Sequence, residues 1–187
     1  TELRNVKVQV SLEKSIAIHL HLYYLDLLEE FYQYFSNIPY EFDLYVSICD
    51  ESAVKRVTEK FQKIINVNYV KVVVTPNSGR DFGPMFVQFR EELKKYDYIM
   101  HVHTKKSLRM GEEQTEWRHF MLDHLLGSTE RIMKCFYLME QMNMGMVYVD
   151  SFPGPCPYWI HTWLDEAPLA RDILNRMGIK FQDEMLQ

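Results

Sequence analysis

Residues 15–37, SIAIHLHLYYLDLLEEFYQYFSN, change their period part-way along. Over 15–22 the chain is β-prone and alternating, which predicts a strand. From there on, Leu25, Leu28, Phe31, Tyr32 and Phe35 recur mostly at steps of three and four, which predicts a helix with one buried face. Asn37 and Pro39 end it. The first unit of the chain is therefore a strand running into a helix.

The same alternation continues outward. FDLYVSI (42–48) reads as a second strand with Asp50 just beyond its end, and Ser52–Ile65 as a helix with Ser52 as its N-cap. YVKVVVT (69–75) is a third strand; the turn PNSGRDFGP (76–84) leads into a helix through FVQFREELKKY. DYIMHVH (97–103) is a fourth strand, followed by the polar loop TKKSLRMGEE. Two helices come next, the first closed by Gly127 and the second capped by Ser128. GMVYVD (145–150) reads as a fifth strand, FPGPCPY as a loop, and 161–177 as a last helix. This order predicts an α/β fold, a mostly parallel sheet with helices on both faces. Residues 1–14 read as an N-terminal extension or linker, and 15–187 as the α/β domain.

Composition narrows the function classes. Apolar residues make up 47 % of 187, enough for a real core, and 25 % are charged. The net charge is −5 and no basic block stands out, so a nucleic acid is a poor partner, whereas a small phosphorylated ligand needs only a local positive pocket. Cys49, Cys135 and Cys156 are odd in number and form no CxxC, which fits a reducing, cytoplasmic setting. The sequence shows neither a signal peptide nor an apolar run of membrane-spanning length.

Ligands of open parallel sheets bind outside the carboxyl ends of the strands. Polar residues gather at those ends here: His19 and His21, Asp50, Asn77 to Asp81, His101 to Lys106, and Asp150. In PNSGRDFGP, Gly79 permits a positive φ, Arg80 offers a planar fork for phosphate, and Asp81 either caps the next helix or acts chemically. In HVHTKKS, His101 and His103 share one side of a strand and could ligate a metal, while Lys105 and Lys106 could neutralise a diphosphate. Arg118 could hold a phosphate, whereas Trp117 reads as core. Two HxH strands with Asp50 and Asp81 also admit a metal-dependent hydrolase.

Five pieces, IAIHLHLYYLDLLEEF, IPYEFDLYVS, PNSGRDFGPM, YDYIMHVHTKKS and WRHFMLDHLLGS, resemble in this order the rhamnan synthesis F family of bacterial polysaccharide-assembly proteins. The resemblance covers roughly residues 15–130. It implies a GT-A-like fold, a nucleotide-sugar donor such as dTDP-L-rhamnose, and rhamnosyl transfer in cell-wall or O-antigen synthesis. It also implies a polysaccharide or lipid-linked acceptor, and a divalent ion, Mg or Mn, as a possible cofactor. In that reading Asp50, Asn77, Gly79, Arg80, Lys105, Lys106 and Arg118 bind the donor, Asp81 and Asp150 are the candidate bases, and His101 and His103 stand where GT-A enzymes carry a DxD motif. FPGPCPYW (152–159) only echoes the family's FPAGSMFW-like segment, so the chain reads as part of a longer protein that brings it to the inner face of the membrane. A non-catalytic module of a polysaccharide-assembly complex is the remaining alternative.

Overall fold

The structure, a computed structural model, describes residues 12–107, 111–149, 152 and 167–180. Its centre is a four-stranded, all-parallel sheet in the order β3-β2-β1-β4. The strands are β1 (Ile16–His21), β2 (Phe42–Ile48), β3 (Val67–Val74) and β4 (Tyr98–His103). Helices α1 (Leu28–Phe35), α2 (Val54–Phe61), α3 (Arg90–Leu93), α4 (Thr115–Leu126) and α5 (Thr129–Gln141) join and flank them. The α/β class and the parallel sheet are as the sequence predicts.

Period-two alternation gives the sheet two unlike faces. Ile16, Ile18 and Leu20 of β1, with Leu44, Val46 and Ile48 of β2, face one way. They pack against Phe31 and Phe35 of α1, Val57 and Phe61 of α2, Leu122 and Leu126 of α4, and Ile132 and Phe136 of α5. Ala17 and Tyr45 face the other way, where Phe89 and Leu93 cover them. Helices thus lie on both faces, but very unequally. The thin cover begins with a π-helical turn, Pro84–Gln88, closed by Phe89 N–H donating to the Pro84 carbonyl at 3.1 Å.

Chain order places β1 between β2 and β4, so the chain's progression across the sheet reverses beside β1. Crevices at such a reversal are where open parallel sheets bind ligands. Here the reversal lies between the carboxyl ends of β1 and β4.

Several local features differ from the sequence reading. Asp50, not Ser52, caps the turn before α2, accepting from Ser52 N–H at 2.9 Å. Gly127 ends α4 at a right-handed φ of −65°. What demands glycine there is space, because a Cβ would meet the Asp123 carbonyl oxygen at 2.5 Å. Ser128 does cap α5, accepting from Arg131 N–H at 3.3 Å. The fifth strand expected over 145–150 is not formed by 145–149, and Asp150 lies outside the described residues. Met146 and Tyr148 are exposed and Val147 and Val149 only partly buried, so neither side of this segment is packed as the sheet strands β1 and β2 are.

The chain divides into two compact units, 1–148 and 149–187. In the second, α6 (Ala167–Arg176) is described, with an Asp172–Arg176 ion pair at 2.8 Å one turn apart. No described helix is long and apolar enough to cross a membrane.

Candidate functional site

Strand register assembles the site. His19 of β1 lies beside His101 of β4, and His21 beside His103, so two HxH segments place four imidazoles on one face. They occupy the side opposite the large apolar core. Ser47 of β2 pairs with His21 in register and faces the same side.

His19 Nδ1 is 3.0 Å from His101 Nδ1, and the two rings stack at an interplanar angle of 14°. On its other edge, His19 Nε2 is 3.3 Å from Ser47 Oγ, which lies 2.8 Å from His21 Nδ1. His101 Nε2 is 3.0 Å from Asp81 Oδ2, and His103 Nδ1 is 3.4 Å from the same oxygen. Phe82 stacks on the His101 ring at 4.8 Å.

The electrostatics follow from burial. His19 is fully buried, and desolvation pushes its pKa down to about 3, assisted by His101 and His21. His21 and His103 are also lowered, chiefly by burial. Burial opposes ionisation of Asp81, but the His101 hydrogen bond and the His103 charge outweigh it and hold the carboxyl below its ordinary value. Burial thus disfavours the charged form of His103 while its neighbours favour an ionised Asp81, the direction that metal binding requires of those two groups.

Asp81 reaches the histidines because of its turn. Gly79 has φ +73° and Arg80 φ +51°, so two successive residues are left-handed. Gly83 N–H donates to the Gly79 carbonyl at 2.7 Å, and a Cβ on Gly79 would stand 2.8 Å from Gly83 Cα. Only a glycine pair allows this closure.

Asp81, His101 and His103 are the one group among the described residues able to hold a metal ion, each offering a ligand atom within 4.8 Å of the others. The four histidines do not form a single ligand set, because His19 and His21 sit behind the group, against Ser47. Two imidazoles and a carboxylate suit a transition ion such as Mn or Zn better than Mg, which favours oxygen ligands.

Two cations flank this group. Lys105 lies 4.3 Å over the Trp117 ring; burial lowers its pKa, Asp81 opposes this, and Arg80 is close enough to lower it further. Arg80 is exposed, and neither cation has an ion pair among the described residues.

The family profile of rhamnan synthesis protein F matches residues 2–185. The chain belongs to the rhamnan synthesis protein F family. Its biology is therefore rhamnan and polysaccharide synthesis. No similarity to a curated protein or to a solved structure reaches significance.

For this family member, the other residues singled out in the sequence fall into two groups. Lys106 is ion-paired to Asp26 and to Glu113, and Arg118, 4 % exposed, grips Glu30 through Nε and Nη2 at 2.8 and 3.2 Å. Arg118 Nη1 also donates to Glu113 at 2.6 Å and to the Lys105 carbonyl at 3.1 Å. Both cations thus hold the loop that presents Lys105. Asp50 is engaged by the Ser52 hydroxyl as well as its N–H, and Asn77 is 3.5 Å from the Tyr23 hydroxyl. Trp117, expected in the core, is half-buried beneath Lys105.

Sequence reading missed Ser47. Its signal was the alternation Asp43, Tyr45, Ser47 in FDLYVSI, three polar positions facing the same way in a buried strand. A larger cleft of about 580 Å³ lies at the opposite end of the sheet, lined by residues including Lys14, Tyr40, Asp43 and Tyr96. It is at the amino ends of β1 and β2, away from the rim where parallel sheets bind ligands.

Proposed function

We propose that this domain binds the diphosphate of a nucleotide-activated sugar, such as dTDP-L-rhamnose, for rhamnosyl transfer in polysaccharide synthesis. The observation that carries this reading is the meeting of Arg80, Lys105 and the Asp81–His101–His103 group at the chain reversal between β1 and β4. A GT-A-like placement of the donor at the carboxyl ends of the strands is compatible with this sheet.

Breaking a glycosyl–phosphate bond leaves oxocarbenium-like charge on the sugar and negative charge on the leaving diphosphate. Fixed cations aimed at the second charge lower the barrier. Arg80, free of ion pairs among the described residues, supplies a planar fork; Lys105, held over Trp117 and partly desolvated, supplies a point charge. A divalent ion on Asp81, His101 and His103 would add positive charge against the same diphosphate. Asp50 and Asn77, which follow β2 and β3, would meet the nucleoside side of the donor. Asp81 is spanned by two histidines and serves better as a ligand than as the acceptor's base. Asp150, the other candidate base, lies outside the described residues.

Calorimetric titration with dTDP-L-rhamnose tests the reading. Arg80→Ala should weaken binding about tenfold to a hundredfold, the scale of one charged hydrogen bond. Unchanged affinity would remove Arg80 from the site.

A further inference from the structure

Behind the candidate metal ligands, His19, Ser47 and His21 connect Asp81 and His101 to the buried face of the sheet. Neither the diphosphate nor the metal reading uses these three residues. Burying two imidazoles and a hydroxyl is costly unless every polar atom is satisfied. The direction of the hydrogen bonds among them can be worked out from one end.

A carboxylate oxygen accepts, so across their 3.0 Å contact His101 donates Nε2–H to Asp81 Oδ2. With its N–H on Nε2, His101 turns a lone pair on Nδ1 towards His19, which donates Nδ1–H to it at 3.0 Å. His19 is left with a lone pair on Nε2, which takes the Ser47 hydroxyl proton at 3.3 Å. Ser47 Oγ in turn accepts Nδ1–H from His21 at 2.8 Å. Each link has one donor and one acceptor, and all of them run towards Asp81.

A metal ion on His101 needs the opposite arrangement, because it takes the Nε2 lone pair. We infer that His19, Ser47 and His21 are positioning residues whose hydrogen-bond chain reverses when a transition-metal ion binds Asp81, His101 and His103. In the reversed chain His101 Nδ1–H donates to His19 Nδ1, His19 Nε2–H to Ser47 Oγ, and the Ser47 hydroxyl to His21 Nδ1. The protons balance: the one displaced from His101 Nε2 leaves at the metal, each following link passes one proton along, and His21 takes one from water at Nε2. Each ring of the chain carries one N–H before and after.

Metal-ligating histidines commonly donate their second nitrogen to a fixed acceptor, and loss of that acceptor costs metal affinity. Here the acceptor is another histidine, fully buried and stacked on the ligand. The two HxH segments therefore divide the work, with β4 supplying ligands and β1 their support.

This inference rests on the metal part of the proposed function, and the test separates the two. Zinc chloride is titrated into metal-free protein. Wild type should bind zinc, His101→Ala should not, and Ser47→Ala should bind about tenfold to a hundredfold more weakly, with Ser47→Thr restoring affinity. Nitrogen-15 shifts of the imidazoles in folded wild type give a second readout that needs no variant. The His101 proton should sit on Nε2 without zinc and on Nδ1 with it. Equal zinc affinity in Ser47→Ala and wild type, or a His101 proton on Nδ1 already without zinc, would overturn the relay while leaving the ligands in place. No zinc binding by wild type would remove the metal reading and the relay together.

Discussion

On one side of β1 lie Ile16, Ile18 and Leu20; one residue along, on the other side, lie Ala17, His19 and His21. Among the described residues the first side is sealed by four helices, whereas the second is covered by Phe89 and Leu93 with the partly buried Val73, Met85 and Tyr96 packed against them. The same strand residues alternate between two environments, and the environments have different tasks. Apolar burial at about 25 cal/mol per Å² is concentrated on one face. That face stabilises the sheet, so the other can carry histidines, a serine and a carboxylate that add little stability.

The largest expected effect comes from breaking the apolar side. Phe61→Ala removes a fully buried ring packed 5.7 Å from that of Phe35. It should cost about 3–5 kcal/mol of stability in urea unfolding. Nucleotide affinity of the remaining folded protein should not change; a matching loss of affinity would mean that the two faces are not separable.

Arg118 sharpens the comparison because it belongs to the apolar side by position and serves the rim by its bonds. It is buried between α4 and α1, yet it holds the Lys105 carbonyl. Arg118→Ala should lower the urea midpoint, because it removes a buried guanidinium and leaves the partly buried Glu30 without its partner. It should also loosen the loop, seen as faster amide exchange over residues 104–107; unchanged exchange there would limit Arg118 to a packing role.

The smallest effect is expected from acid. A hydrogen bond from Lys106 lowers the Asp26 carboxyl from 3.8, and one from Arg118 lowers Glu113 from 4.5. Depressed folded values mean that these pairs contribute fully above the ordinary carboxylate range and are lost as pH falls through the depressed values. Both carboxylates are solvent-facing, so the contribution is small. Loop amide protection, corrected for intrinsic exchange, should hold steady down to the ordinary carboxylate range and decline as pH falls below it; a flat profile would show that these ion pairs do not hold the loop.

Much of this was legible in the sequence, for identifiable reasons. Strand and helix periods in 15–37 and 42–75 gave the α/β class, because each element has one strongly apolar face. HLH and HVH could be recognised as two one-sided pairs, since alternation along a strand is fixed by covalent geometry. That the pairs lie side by side depends on strand order and register, which are long-range, and so the division between ligands and supports could not be read. Ser47 was missed for the same reason: its partners are 26 and 28 residues away in sequence. Arg118 looked like a phosphate ligand because sequence shows a guanidinium but not the acids that occupy it. GMVYVD had strand composition, and its exposed Met146 and Tyr148 show why composition was not enough.

The central claim is that the rim between β1 and β4 recognises a diphosphate. Calorimetric titration with dTDP and, separately, with thymidine, each with and without manganese, tests it most directly. dTDP should bind, thymidine should bind far more weakly, and manganese should tighten dTDP alone. Equal binding of both compounds, or no binding of dTDP with or without manganese, would contradict it.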